Sequence, residues 1–150
     1  ENGIKTAITF SDPSMVTYFR DGLAEMIGEG VDILFSNEEE ATIFTGKDNL
    51  DDAIADLKTL CDTLVLTLGN KGAMIIKGDE RIVIDPVATT AVDTNGAGDM
   101  FAGAYLYGTT HGFSELQSGN LASEAASIIV SRFGTRLEAE EQKHLIEKYC

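Results

Sequence analysis

With 150 residues, 43% of them hydrophobic, the chain is long enough for one domain with a real core, or for a piece of a larger one, and too apolar for a disordered segment. Its net charge of −14 leaves only 11 basic residues, which argues against nucleic-acid binding; any phosphate would have to be held locally, by backbone amides and a metal. No apolar run reaches the ~18 residues that a membrane span needs, and no secretory pattern is present.

The opening "ENGIKTAITF" reads as a helix end with a C-cap at Gly3, then a strand over 6–10. A domain rarely starts on the last turn of a helix, so the expectation is the C-terminal part of a longer protein. Ser11 or Asp12 caps the next helix, with Pro13 near its first position, and that helix runs to about Gly28. A strand at 31–35 follows. Ser36 and Glu39 then have capping-box spacing, and Gly46 stops the short helix they begin. Asn49 caps an amphipathic helix through about Leu60, whose first turn carries Asp51 and Asp52 against the dipole.

"TLVLTLG" (63–69) is nearly continuously apolar, as for a strand buried on both faces. "AMIIKGDERIVID" predicts a hairpin turning at Gly78-Asp79. Helices follow at 97–108, 114–132 and 138–148, with Gly112 breaking the first and a Ser114/Gln117 capping box opening the second. The second has an alanine face (Ala122, Ala125, Ala126) suited to close packing. Short strands alternating with helices predict an α/β fold with a mainly parallel sheet.

Two motifs for phosphate binding are absent. No GxxxxGK[ST] string exists, and Phe101 stands where a GxGxxG fingerprint starting at Gly96 needs its third small residue, which weakens a dehydrogenase reading. Cys61 and Cys150 form no CxxC and read as reduced thiols of a cytoplasmic protein. His111 and His144 read as ordinary surface residues.

The stretch "DTNGAGDMFAG" (93–103) is the chemically informative one. Small residues at 96–98 let amides converge at a helix start, where the dipole favours an anion. Asp99 beside them suits removal of a proton from a hydroxyl held next to that anion. Alone, the same pattern is also an ordinary turn and cap.

"VDTNGAGDMFAGAYLYG" resembles the C-terminal signature of the PfkB, or ribokinase-like, family of sugar and nucleoside kinases. "NEEEA" contains that family's NxxE arrangement, "TLGNKG" resembles its nucleotide-binding loop, and "ASIIVSRFGTRL" its adenine and cation segment. The motifs fall in the family's order along nearly the whole chain, and they look most similar to the adenosine-kinase-like branch.

The resemblance implies a ribokinase-like three-layer αβα sandwich. Residues 1–150 would be the C-terminal nucleotide-binding and catalytic part, with the N-terminal part and substrate lid absent. It implies an ATP-dependent kinase acting on a primary hydroxyl of a sugar or nucleoside. Asp99 would be the base, and Gly96, Ala97 and Gly98 the anion hole. Asn37 and Glu40 would organise Mg2+ through water, since magnesium sheds its hydration shell reluctantly. Thr67, Gly69 and Gly72 would lie along the nucleotide, with Asn120 and Ser123 near the adenine. Asp93 and the carbonyl of Asn95 would help bind K+, with backbone from the 130–135 region. The implied partner is a small-molecule substrate, with no nucleic acid, no membrane and a homodimer left open. Ribokinase, fructokinase and 2-keto-3-deoxygluconate kinase types remain alternatives, as does a nucleotide-binding fragment inactive by itself.

Overall fold

Asp12 begins the first helix as its sequence suggests. Its Oδ1 accepts from the amides of Ser14 (2.7 Å) and Met15 (3.1 Å), and Pro13 occupies the first turn, where no amide is needed. The structure, a computed structural model, describes residues 3–149. The expected helix end before Gly3 and the thiol of Cys150 lie outside the described residues. The chain divides into two compact units, Glu1–Leu68 with Met74–Arg81 and Gly69–Ala73 with Ile82–Cys150.

In the first unit, strand β1 (Ala7–Thr9) leads through helix α1 (Pro13–Ile27) to β2 (Val31–Asn37), then through α2 (Glu38–Thr45) and α3 (Leu50–Leu57) to β3 (Cys61–Thr67). β1, β2 and β3 pair in parallel, with Ile8 opposite Leu34 and Leu34 opposite Leu64. Helical crossovers supply the length that parallel neighbours require. β4 (Ala73–Lys77) and β5 (Glu80–Ile84) extend the sheet in the order β1-β2-β3-β4-β5. Their links, 68–72 and 78–79, are too short for a crossover, so β4 and β5 add antiparallel pairs. Leu34, Leu64, Leu66 and Ile76 from the sheet pack with Leu23, Ile27, Ile54 and Leu57 from the helices. Phe10 stacks on Phe44 with ring centroids 4.5 Å apart.

Several boundaries differ from the sequence expectation; β3, for one, spans 61–67 rather than 63–69. The capping box that opens α2 is Asn37 with Glu40, not Ser36 with Glu39. Pairing with β3 carries β2 two residues further, through Ser36↔Leu66 and Asn37↔Thr67, so Ser36 stays extended and buried. Helix α3 ends at Leu57 rather than about Leu60. The Leu60 carbonyl is taken by the Val31 amide at 3.0 Å, and β3 begins at Cys61, two residues before the expected Thr63.

The second unit contains α4 (Ala97–Thr110), α5 (Glu115–Val130) and α6 (Ala139–Tyr149). The Ser114/Gln117 box opens α5 as expected. Ala122 and Ala125 are buried, while Ala126 is only half-buried. A close approach of α4 to α5 lies elsewhere: a Cβ on Gly108 would sit 2.5 Å from Ser118 Oγ. Tyr105 of α4 donates its buried phenol to Glu115 of α5. Leu145 of α6 packs with Leu121 and Ala125. His111 is exposed and stacks on Tyr107 at 3.9 Å. No helix among the described residues is long and apolar enough to cross a membrane.

Candidate functional site

In the first unit the polar residues gather at the carboxyl ends of parallel strands, the usual ligand edge of an α/β sheet. Asn37 ends β2 directly opposite Thr67, which ends β3. Asn37 Oδ1 accepts the Glu40 amide at 2.8 Å, and Glu40 Oε2 accepts the Asn37 amide at 2.9 Å. Glu40 is 4% exposed. Burial pushes its carboxyl above the ordinary value, the bond from the Asn37 amide opposes this, and the charges of Asp12 and Glu39 add to the rise. A buried acid facing other acids suits a hydrated cation. No cluster of three or more His, Cys, Asp or Glu that could hold a metal directly occurs among the described residues.

In the second unit the start of α4 differs from those of α1, α2, α3 and α5. Those four are capped by the side chains of Asp12, Asn37, Asn49 and Ser114. Helix α4 is capped by Gly96, in the left-handed region (φ 76°, ψ 1°), with no side-chain cap bond. The Ala97 amide is taken by the Thr94 carbonyl at 3.3 Å, and no side-chain cap reaches the amides of Gly98 and Asp99, which are open to an external acceptor. A Cβ on Gly98 would meet nothing within 4 Å, so the approach is open. Asp99 lies exposed in that first turn and lines a cavity of about 370 Å3 with Gly103, Tyr107 and Thr135.

The segment entering this turn is also fixed. The amides of Val92 and Asp93 both reach the Val130 carbonyl, at 2.8 and 3.2 Å, and Asp93 Oδ1 accepts the Asn95 amide at 3.0 Å. Asp93 and Asn95 thus lie with residues 96–99, beside the end of α5. Ser123 is buried on α5 and donates to the Asp85 carbonyl at 3.2 Å, and Asn120, one turn earlier, is half-buried. Gly69 opens a 3-10 turn with φ 59°. Gly72 has a packing reason of its own: a Cβ there would sit 2.1 Å from the Ile84 carbonyl oxygen.

Residues 1–142 match the family model described as pfkB family carbohydrate kinase. The chain belongs to that family. This pfkB-family chain is 32% identical over 127 residues to an uncharacterized sugar kinase of Archaeoglobus fulgidus, covering 83% of itself and 50% of that protein. The adenosine kinase structure from Sinorhizobium meliloti superposes with a TM-score of 0.90 at 32% identity, over 97% of this chain and 45% of that one. A ribokinase-type protein of E. coli in complex with ATP and Mg2+ superposes with a TM-score of 0.75 at 26% identity, over 91% and 44%. The fold is thus ribokinase-like α/β, and the pfkB-family chain spans about half the length of the curated relatives it matches.

Two features escaped the sequence reading. Asp12 reads there as a cap, yet its charge also reaches Glu40. Thr135 lies inside the segment "ASIIVSRFGTRL" singled out above, but nothing local signals that it packs on Gly96.

Proposed function

We propose that the protein carrying this chain transfers the γ-phosphate of ATP to a primary hydroxyl of a sugar or nucleoside, with an adenosine-like acceptor favoured. Residues 1–150 then form the C-terminal nucleotide-binding and catalytic part. The observation that carries the reading is the start of α4, the one of the five compared helices whose cap lacks a side-chain bond, with Asp99 in its first turn.

Asp99 accepts the proton of the acceptor hydroxyl as that oxygen bonds to phosphorus and the bond to ADP breaks. Gly96, Ala97 and Gly98 present bare backbone to the transferring group, stabilising charge that grows in the transition state. Asn37 and Glu40 would orient a hydrated Mg2+, which supplies charge neutralisation when bound, and the buried acidity of Glu40 fits that task. Thr67, Gly69, Gly72, Asn120 and Ser123 would line the nucleotide. Asp93 and the Asn95 carbonyl would hold K+, a role favoured by the bonds that tie residues 92–93 to Val130.

A second reading, a sugar acceptor of the ribokinase or fructokinase type, is favoured by the sugar-kinase relative. A panel of nucleosides and sugars assayed with the full-length protein separates the two. In that protein Asp99→Asn abolishes transfer and leaves nucleotide binding largely intact; retained turnover would sink the base assignment.

A further inference from the structure

A glycine cap has no side chain to fix it, and its backbone is free to leave the left-handed region. Gly96 has none of the side-chain bonds that fix the caps of α1, α2, α3 and α5. What it has is Thr135. A Cβ on Gly96 would sit 2.7 Å from Thr135 Cγ2 and 2.9 Å from Thr135 Cβ, so the threonine methyl lies directly over the glycine. Threonine is branched at Cβ and stiff about χ1, which makes that methyl a fixed wedge rather than a movable tail.

The loop carrying the wedge is anchored on both sides of it. Arg132 forks onto Glu141, Nη1 to Oε1 at 2.8 Å and Nη2 to Oε2 at 2.7 Å, and Nη2 also donates to the Arg136 carbonyl at 3.1 Å. The Glu138 amide donates to Glu141 Oε2 at 2.8 Å. The loop is thereby tied to the first turn of α6. Upstream of Gly96 in the chain, the amides of Val92 and Asp93 are held by the Val130 carbonyl.

We infer that Thr135 is a positioning residue for phosphoryl transfer: its methyl group locks Gly96 and so fixes the direction of the amides that open α4. The inference rests on the proposal that the start of α4 receives the transferring phosphate. Thr135 acts through Gly96. The contact is made by Cγ2 and Cβ, so valine keeps both, whereas serine loses the methyl that approaches closest.

The test uses the full-length protein with Thr135→Val, Thr135→Ser, Thr135→Gly and Asp99→Asn. Thr135→Ser and Thr135→Gly lower kcat about 10- to 100-fold with KM little changed, as for a misplaced catalytic group, and Thr135→Val stays near wild type. Wild-type kcat in Thr135→Ser, beside an inactive Asp99→Asn, overturns the inference. A Thr135→Val protein as slow as Thr135→Gly overturns it too, because the hydroxyl is then what matters. Activity surviving in Asp99→Asn instead strikes at the catalytic reading. A readout independent of turnover covers that case: the amide resonances of Gly96 and Ala97 move in the serine and glycine variants and hold in valine. Unmoved resonances in Thr135→Gly overturn the inference whatever the activity.

Discussion

Asn37 and Glu40 satisfy each other across the first turn of α2, each side chain accepting the other's backbone amide. The bond needs an acceptor at position 40 but not a charge, because glutamine completes a capping box equally well. Burial and nearby acids raise the Glu40 carboxyl, so its charged form is the one folding disfavours. Stability from the neutral form is present at acid pH and lost as pH rises through the raised value. Glu40→Gln therefore raises the urea midpoint over wild type at pH 7, and the gap closes below about pH 4, near the ordinary glutamate value. An equal gap at both pH values would show that charge is not the cause. If the proposed magnesium role holds, the same variant loses Mg2+-dependent nucleotide binding.

Gly96 and Gly98 have opposite requirements. Alanine at 96 meets both a positive φ and the Thr135 side chain, and costs about 1–3 kcal/mol in a denaturant melt. Alanine at 98 meets open space inside a helix and gains about 0.5–1 kcal/mol. Under the proposed anion role, Gly98→Ala nevertheless binds nucleotide more weakly, by calorimetry. A variant both more stable and fully competent to bind would remove residue 98 from the anion loop.

Tyr105 is fully buried, and its phenol is pushed far above the ordinary value, first by burial and then by the bond to Glu115. The neutral phenol contributes stability that is lost at high pH. In an alkaline spectrophotometric titration, Tyr105 should ionise only as the protein unfolds. Tyr105→Phe costs about 1.5–3 kcal/mol, the usual worth of a hydrogen bond to a charged group.

The Cys61 thiol is pushed up to about 11, mainly by burial and further by Asp62. Since the thiolate is the reactive form, Cys61 stays inert to Ellman's reagent at pH 8 while the protein is folded. It reacts promptly in denaturant. Rapid labelling of the native protein at this residue would contradict the burial assigned to it.

What the sequence makes legible is mostly local. Asp12, Asn49 and Ser114 cap their helices because each bond spans only two or three residues, and Gly78-Asp79 turns the hairpin for the same reason. The Ser36/Glu39 box was misplaced because the end of β2 is decided by its pairing with β3, which no local spacing encodes. Gly72 resembles a turn glycine, whereas its steric requirement comes from the Ile84 carbonyl. The motif at 93–99 is readable as a string, but Thr135, which packs against it, belongs to a loop beyond α5. Contacts of that kind emerge only once helices have been placed.

The unfilled start of α4 also has a consequence for motion. A helix whose cap is a glycine lacks the side-chain bond that would keep its first turn closed, so amides 98 and 99 should exchange with solvent faster than the first-turn amides of α1 or α5. An anion arriving there would complete the helix. Hydrogen exchange at these amides then becomes a gauge of occupancy, slowing as nucleotide binds. The ligand itself would supply the missing cap.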